Sequence, residues 1–144
     1  MNDDKDAQSH KLIQCGVTLF LIGLLTGFVI PTMKNPRMGL SSHLEGVLNG
    51  LFLIAIGFIW PRLELSSRWL KAGFLTALYG TGANWLATFL AAIWGAGKAM
   101  PMAGGGGAGT IIQETIINVL LYSLSFLMVL VCVLLLVGLK KQKN

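Results

Sequence analysis

The sequence predicts an all-α integral membrane protein in which four transmembrane helices form one bundle. Of its 144 residues, 54% are hydrophobic and only 12% are charged, a balance typical of chains that place apolar surface in lipid. The apolar residues fall into four long segments joined by short polar or glycine-rich stretches. We therefore treat residues 1–144 as a single membrane domain whose first ten residues, 1–10, form a polar tail.

The four helices can be placed from the apolar runs and from the residues that interrupt them. Pro31 and Pro61 end the first two runs, because proline cannot continue a helix. Each run is long enough to cross a hydrocarbon core of about 30 Å at about 1.5 Å per residue. Four consecutive glycines lie between the last two runs, where we expect a linker or a flexible lid. The predicted helices cover about residues 12–30, 41–60, 68–94 and 111–139, and the glycine-rich loop covers 95–110.

Lysine and arginine are placed at the ends of these segments, where cations meet lipid head groups. The net charge of +5 therefore indicates membrane lipid, and no nucleic acid, as the partner of the basic residues. Four spans put both termini and the 61–71 loop on one side. By the positive-inside rule this side is the cytoplasm, and we expect a multi-pass protein of the bacterial inner membrane. It holds eight of the eleven cations, which are Lys5, Lys11, Arg62, Arg68, Lys71, Lys140, Lys141 and Lys143.

Polar side chains interrupt the apolar pattern of the second predicted helix. His43, Glu45 and Asn49 are costly in lipid, so together they indicate a functional site. Ser41 or Ser42 is suited to begin this helix. Ser42 and Glu45 also match a capping box, which is the structural alternative for the carboxylate. The functional alternative is that Glu45 fixes the tautomer of a ligand histidine.

The third and fourth helices carry further polar residues at helical spacing. Thr76, Gly80, Asn84 and Thr88 recur every four residues and predict a polar stripe on one face. Asn49 and Asn84 are each expected to form an interhelical hydrogen bond or to contact substrate. Since His43 and Glu114 begin their spans on the same side of the membrane, we expect all these faces to converge in the outer half of the bundle. The fourth helix is expected to face inward through Glu114, Asn118, Tyr122 and Ser125.

His43 is the only histidine in a predicted span. Its structural interpretation is a histidine near a helix start that is hydrogen-bonded to a neighbour. Its functional interpretation is an axial ligand to haem iron, because a zinc site needs at least three ligands and no second histidine is available. Gly46 and Gly50 are spaced for close helix approach, as are Gly23 and Gly27, and we expect them to leave a space for a flat macrocycle beside His43.

Two segments, NPRMGLSSHLEGVLNG at 35–50 and the GxxANW element at 80–85, resemble the hydroxylaminobenzene mutase family, a relative of the styrene oxide isomerases. The resemblance covers most of the chain after residue 10, and its most specific part is His43 followed by Asn49. It implies a homotrimeric membrane enzyme. In the isomerase relatives, haem b lies between subunits and the residue equivalent to His43 is its axial ligand. Those isomerases also use an aspartate and a tyrosine on the third helix, where this chain has Gly80 and Thr88, and this departure favours the mutase over epoxide rearrangement.

The reaction implied by the resemblance moves the hydroxyl oxygen of an N-aryl hydroxylamine, a small aromatic substrate, to the ortho carbon of its ring. The product is a 2-aminophenol, and the haem iron acts as a Lewis acid. The expected residues fall into two groups. The residues expected to bind the cofactor are His43, which ligates the metal, and Glu45, Gly46 and Gly50. The catalytic residues are expected to be Asn49, Asn84, Thr88 and Glu114.

Two other classes of protein remain alternatives. Four short spans with intramembrane carboxylates are also typical of a small proton-coupled multidrug exporter that works as a dimer. Such exporters place their essential glutamate in the first helix, where this chain has none. A structural or assembly factor is the other alternative, and it predicts neither pigment nor transport.

Overall fold

The computed structural model describes residues 2–139. All regular secondary structure in this part of the chain is helical, and it has no strand. The predicted all-α fold is confirmed. Two single 3₁₀ turns follow the first two long helices, at Ile30–Thr32 and Trp60–Arg62. The α-helices are α1 (Asn2–Val29), α2 (Pro36–Ile59), α3 (Ser67–Trp94), the short α4 (Pro101–Gly104) and α5 (Ile111–Gly138).

Three helical segments are long and apolar enough to cross a membrane. They are Asp3–Thr32, Pro36–Arg62 and Ile111–Gly138, with 30, 27 and 28 residues. α3 is also 28 residues long, but its glycines, threonines and asparagine lower its mean hydropathy. The chain is thus a membrane protein with three helices of this kind, and the fourth span stays a prediction.

α1 begins earlier than predicted, because the polar tail is helical from Asn2. Its side chains bond to the end of α2 and the turn that follows. The Lys5 ammonium donates to the Leu63 carbonyl at 2.7 Å, and the Ser9 hydroxyl donates to the Gly57 carbonyl at 2.8 Å. The Trp60 indole donates to Oε1 of Gln8 at 2.9 Å. These contacts continue the first helix beyond its apolar run.

α2 also begins earlier than predicted. Asn35 is its N-cap, with Oδ1 accepting from the Met38 amide at 3.2 Å, and Pro36 occupies the first helical position. Asparagine at the N-cap and proline next to it are both favoured there. Ser42 is therefore buried inside the helix and donates to the Trp85 carbonyl at 3.3 Å. The capping-box interpretation of Glu45 is wrong.

α1 and α2 pack through glycines, as their spacing predicts. A Cβ atom on Gly23 would lie 2.6 Å from the Val47 nitrogen and 2.7 Å from the carbonyl carbon of Gly46. A Cβ atom on Gly50 would lie 2.7 Å from the Gly16 oxygen. Any side chain larger than hydrogen would force these two backbones apart.

α3 packs against α2 on one side and α5 on the other. Ala77 belongs to one core cluster, and Ala91 and Ala92 belong to a second one nearer the other end of the bundle. On the α5 side, the space above Gly80 is filled by Met128, whose Cγ would lie 2.9 Å from an added Cβ atom. α3 ends where Gly95 adopts a left-handed φ of +69°, a conformation that glycine favours.

Substitution of Gly23 by alanine tests the α1–α2 contact. We expect Gly23→Ala to lower the free energy of unfolding by about 1–3 kcal/mol, because the added methyl group meets backbone atoms that cannot turn aside. Gly82→Ala is the matched control, since nothing lies within 4 Å of a Cβ atom there. Thermal unfolding in detergent measures both variants. Equal stability of the two would contradict the close contact.

Candidate functional site

His43 lies half-buried on α2 against α1. Its Nδ1 is 2.8 Å from the Gly23 carbonyl oxygen. Because a carbonyl can only accept, Nδ1 carries a proton, and in a neutral imidazole the lone pair is then on Nε2. Gly27 makes room for the imidazole, since a Cβ atom there would lie 3.0 Å from Nδ1. A backbone carbonyl at one ring nitrogen is the usual support of a histidine that ligates metal through the other.

Glu45, Asn49 and Asn84 form a second group, which we call the carboxylate–amide cluster. Oε2 of Glu45 accepts from Nδ2 of Asn49 at 3.0 Å and from Nδ2 of Asn84 at 2.6 Å. Nδ2 of Asn49 also donates to the backbone carbonyl of Glu45 at 2.9 Å. The cluster joins α2 to α3, so the interhelical hydrogen bond expected for Asn84 is present. The hydrogen bonds of Glu45 are to amides and not to His43.

The predicted convergence of all polar faces is only partial within one chain. His43 and Glu45 are two residues apart on α2, which places them about 200° apart around the helix axis. His43 accordingly faces α1, whereas Glu45 faces α3. Thr88 is buried beside the cluster, but its hydroxyl donates to the carbonyls of Asn84 and Trp85 in its own helix. The structure therefore brings Glu45, Asn49 and Asn84 together and leaves His43 on the other side of α2.

The space expected for a macrocycle at Gly46 and Gly50 is filled by other parts of the same chain. A Cβ atom on Gly46 would lie 3.0 Å from the Gly23 nitrogen and 3.0 Å from Cδ1 of Trp85, and one on Gly50 would meet the Gly16 carbonyl and Phe20. These two glycines pack against α1 and Trp85 and leave no space beside them for a macrocycle, so the expected space is absent.

Trp85 joins α3 to both α1 and α2, and it was not singled out as a site residue from the sequence. Its indole nitrogen donates to Oγ1 of Thr26 on α1 at 3.2 Å, and its carbonyl accepts from Ser42 on α2. The indole ring stacks on Phe89 with centroids 5.0 Å apart. The sequence signal for Trp85 was its position directly after Asn84, which lies on the polar stripe. Its partners are on other helices, and the sequence does not specify where those helices lie.

Glu114 lies away from the carboxylate–amide cluster and holds the glycine-rich loop. The side chain is 6% exposed, and its Oε1 accepts from the amides of Gly97 and Gly109 at 3.2 and 2.8 Å. Oε2 accepts from the Lys98 amide at 3.3 Å. Nδ2 of Asn35 donates to the Gly104 carbonyl at 2.8 Å. The loop is thus a folded cap fixed to the starts of α2 and α5.

The inward face predicted for the rest of α5 is wrong after its first two turns. Tyr122 is 67% exposed, and Ser125 is exposed as well. Ile117, Leu124 and Val131 are buried instead. These residues recur every seven positions and carry the packing of α5 on α3, so Tyr122 turns away from the bundle.

Within residues 2–139, no three histidine, cysteine, aspartate or glutamate side chains come together in a way that would hold a metal ion. The site therefore has two features, an imidazole hydrogen-bonded to a carbonyl on one side of α2 and a carboxylate held by two amides on the other.

These features define an α-helical membrane protein with polar groups arranged between its helices. Residues 8–140 match the family model described as styrene oxide isomerase, so the chain belongs to the styrene oxide isomerase family and is an isomerase. It is 58% identical to hydroxylaminobenzene mutase HabB of Ectopseudomonas oleovorans over 92% of this chain and 81% of that protein. It is 47% identical to hydroxylaminobenzene mutase HabA of the same organism over 88% of this chain and 95% of that protein. No solved structure matches the chain.

The family resemblance read from residues 35–50 and 80–85 is confirmed by these matches. Membership of an isomerase family favours the enzyme over the exporter and over the assembly factor. The carboxylate–amide cluster and His43 both lie within the matched range.

Removal of the Glu114 carboxylate tests its hold on the glycine-rich loop. We expect Glu114→Ala to lower the free energy of unfolding by about 1–3 kcal/mol, because buried amides lose their acceptor. Hydrogen exchange should show lost protection at the amides of Gly97, Lys98 and Gly109. Thr115→Ala is the control, since that exposed hydroxyl bonds only within its own helix. Unchanged protection in Glu114→Ala would contradict the assignment.

Proposed function

We propose that the protein converts N-aryl hydroxylamines such as hydroxylaminobenzene to 2-aminophenols. The observation that carries this proposal is 58% identity, over 92% of the chain, to a hydroxylaminobenzene mutase. In the reaction the N–O bond breaks and a C–O bond forms at the ortho carbon of the same ring. That carbon loses its proton and the nitrogen gains one, so no electrons are exchanged with a second substrate.

His43 is the residue that would hold a haem b group. Its donor set fits, because haem iron needs one protein nitrogen and Nδ1–H is already bonded to the Gly23 carbonyl. Since the glycine face of α2 is filled by α1, a macrocycle would lie outside the α1–α2 contact. When bound, the iron supplies Lewis-acid chemistry that weakens the N–O bond.

The carboxylate–amide cluster would orient the polar end of the substrate. Asn49 and Asn84 present amide groups held in fixed positions by Glu45. Thr88 supports Asn84 by bonding to its carbonyl at 3.0 Å, and Glu114 keeps the loop above the bundle folded. Apolar side chains around the aromatic ring exclude water, which would otherwise trap a cationic intermediate at other ring positions.

A homotrimer would join the two halves of this site. In one chain His43 and the cluster lie on opposite sides of α2, so a single copy does not present both to one small molecule. Cyclic symmetry places one surface of each copy against a different surface of the next. The His43 side of one protomer would then face the carboxylate–amide cluster of its neighbour.

In the bacterial inner membrane, α3 would act as the fourth span, with both termini in the cytoplasm. The bond from Lys5 to the Leu63 carbonyl puts the start of α1 beside the 61–71 loop, so their cations share one end of the bundle. Lys34, Arg37 and Lys98 lie at the other end. Lys140, Lys141 and Lys143, which were counted with the cytoplasmic group, lie outside the described residues.

Epoxide rearrangement is the second candidate, because the matching family model is described as styrene oxide isomerase. The positions at which those isomerases use an aspartate and a tyrosine are Gly80 and Thr88 here. Gly80 packs on Met128, and the Thr88 hydroxyl is bonded within its helix. Neither position supplies a carboxyl or phenol group, which favours the hydroxylamine reaction.

The absorption spectrum tests the role of His43. We expect the purified protein to show a Soret band and His43→Ala to lose it, because no other ligand nitrogen is prepared in the same way. His10→Ala is the matched control, since the second histidine is exposed on α1 and its loss should leave the spectrum unchanged. A folded wild-type protein without the band would remove haem from the proposal. A band that persists in His43→Ala would move the ligand elsewhere.

An oxygen label tests the intramolecular step. N-phenylhydroxylamine that carries ¹⁸O should give 2-aminophenol with the label retained, because the oxygen stays with the molecule in a dry site. Mass spectrometry of the product measures retention. The same reaction in H₂¹⁸O with unlabelled substrate is the control, and incorporation of solvent oxygen would refute the intramolecular transfer.

A further inference from the structure

Within the carboxylate–amide cluster, Asn49 and Asn84 use their N–H donors but not their carbonyl acceptors. A side-chain amide has two N–H donors on nitrogen and one carbonyl acceptor. Nδ2 of Asn49 donates to the carboxylate and to the backbone carbonyl of Glu45, and Nδ2 of Asn84 donates to the same carboxylate oxygen. Both amide nitrogens are therefore turned toward Glu45. The two Oδ1 atoms, on the opposite branch of each amide, are directed elsewhere.

Neither Oδ1 atom receives a hydrogen bond from the residues that the structure describes. Asn49 is only 9% exposed, yet no fully buried polar side-chain atom in the described part of the chain lacks a partner. Both oxygens must therefore keep some accessible surface. In a membrane-spanning bundle an acceptor without a partner is costly, so these two oxygens are suited to a ligand that brings donors.

The cluster lies between α2 and α3, one helical turn from the contact of α3 with α5. Gly80 lies one turn before Asn84 on the same face of this helix and contacts Met128 of α5. Asn84 bonds across to Glu45 of α2. The amides that carry the two oxygens thus belong to the α2–α3 contact, and Asn84 is one turn from the α3–α5 contact.

We propose that Glu45 is a positioning residue that makes this cluster selective for substrates with N–H and O–H donors. The proposal rests on the proposed function, because an N-aryl hydroxylamine carries one N–H and one O–H beside its ring. An epoxide carries neither. Glu45 acts through Asn49 and Asn84: by taking their N–H groups, it leaves their carbonyl oxygens to accept from the substrate. A molecule without donors would leave those oxygens unpaired and bind weakly.

Unreactive analogues separate this selectivity from the chemical step. N-benzylhydroxylamine has both donors but no N-aryl group to rearrange, N-benzyl-N-methylhydroxylamine lacks the N–H, and N-benzyl-O-methylhydroxylamine lacks the O–H. Inhibition constants for all three are measured against turnover of N-phenylhydroxylamine. In the wild type we expect each methylated analogue to bind at least about tenfold more weakly than the parent, as for a buried acceptor left unpaired.

Two substitutions of Glu45 then test its role. In Glu45→Ala the amides are free to turn, and the ratio between methylated and parent analogues should fall to within about threefold. In Glu45→Gln a side-chain oxygen is still present to accept from both amides, so the ratio should stay near its wild-type value. A merely structural role of Glu45 would change stability or kcat without changing this ratio.

Failure of the inference and failure of the proposed function give different results. A folded wild-type protein that does not convert N-phenylhydroxylamine overturns the proposed function. Turnover in the wild type, with equal ratios in wild type and Glu45→Ala, overturns the inference alone. If Glu45→Ala does not fold, Asn84→Leu replaces it, because this change removes one of the two oxygens and keeps the Glu45–Asn49 bond. A wild-type ratio in Asn84→Leu for both methylated analogues also overturns the inference.

Discussion

The close contact between α1 and α2 is the constraint on which the rest of the structure depends. Because Gly23 and Gly46 have no side chains, the two backbones approach until an added Cβ atom would overlap the neighbouring chain. This approach brings the Gly23 carbonyl within 2.8 Å of the imidazole of His43. The same packing that joins the two helices therefore fixes the orientation of the histidine ring.

Polar groups in the bundle are treated in two ways. Hydroxyl groups such as those of Thr26, Thr81 and Thr88 donate to carbonyls of their own helices, which satisfies their donors locally. Glu45 instead accepts, at a single carboxylate oxygen, from side-chain amides of two helices, α2 and α3. Thr81 and Thr88 use their hydroxyl donors within α3, whereas the shared carboxylate of Glu45 leaves acceptor capacity on Asn49 and Asn84. Hydrogen bonding therefore distinguishes Asn84 from Thr88 on the polar stripe of α3, although both residues lie at the same four-residue spacing.

The sequence predicted the fold class and most of the helix ends. The bounds of α3 and α5 agree with prediction to within one residue, since Gly95 and Thr110 are strong end and start signals. The start of α2 was missed because Ser41 and Ser42 stood closer to the apolar run than Asn35 and Pro36, which are equally good signals. Site residues were identified by their cost in lipid, but their grouping depends on which neighbour each face meets. A single sequence indicates which residues share a face of a helix, but not which helix packs against that face. Glu114 was therefore grouped with His43, although its carboxylate accepts from amides of the glycine-rich loop.

The hydrogen bonds from the first turns of α1 to the turn after α2 have a consequence for biosynthesis. Lys5, Gln8 and Ser9 are bonded at one end of the hairpin formed by residues 2–63, and glycines are in contact along its middle. These hydrogen bonds and contacts between glycines involve no atom of α3 or α5. Such a hairpin is able to assemble while the ribosome is still translating the second half of the chain. The less apolar α3 would then pack beside a surface that already offers Ser42 and Thr26 as hydrogen-bonding partners.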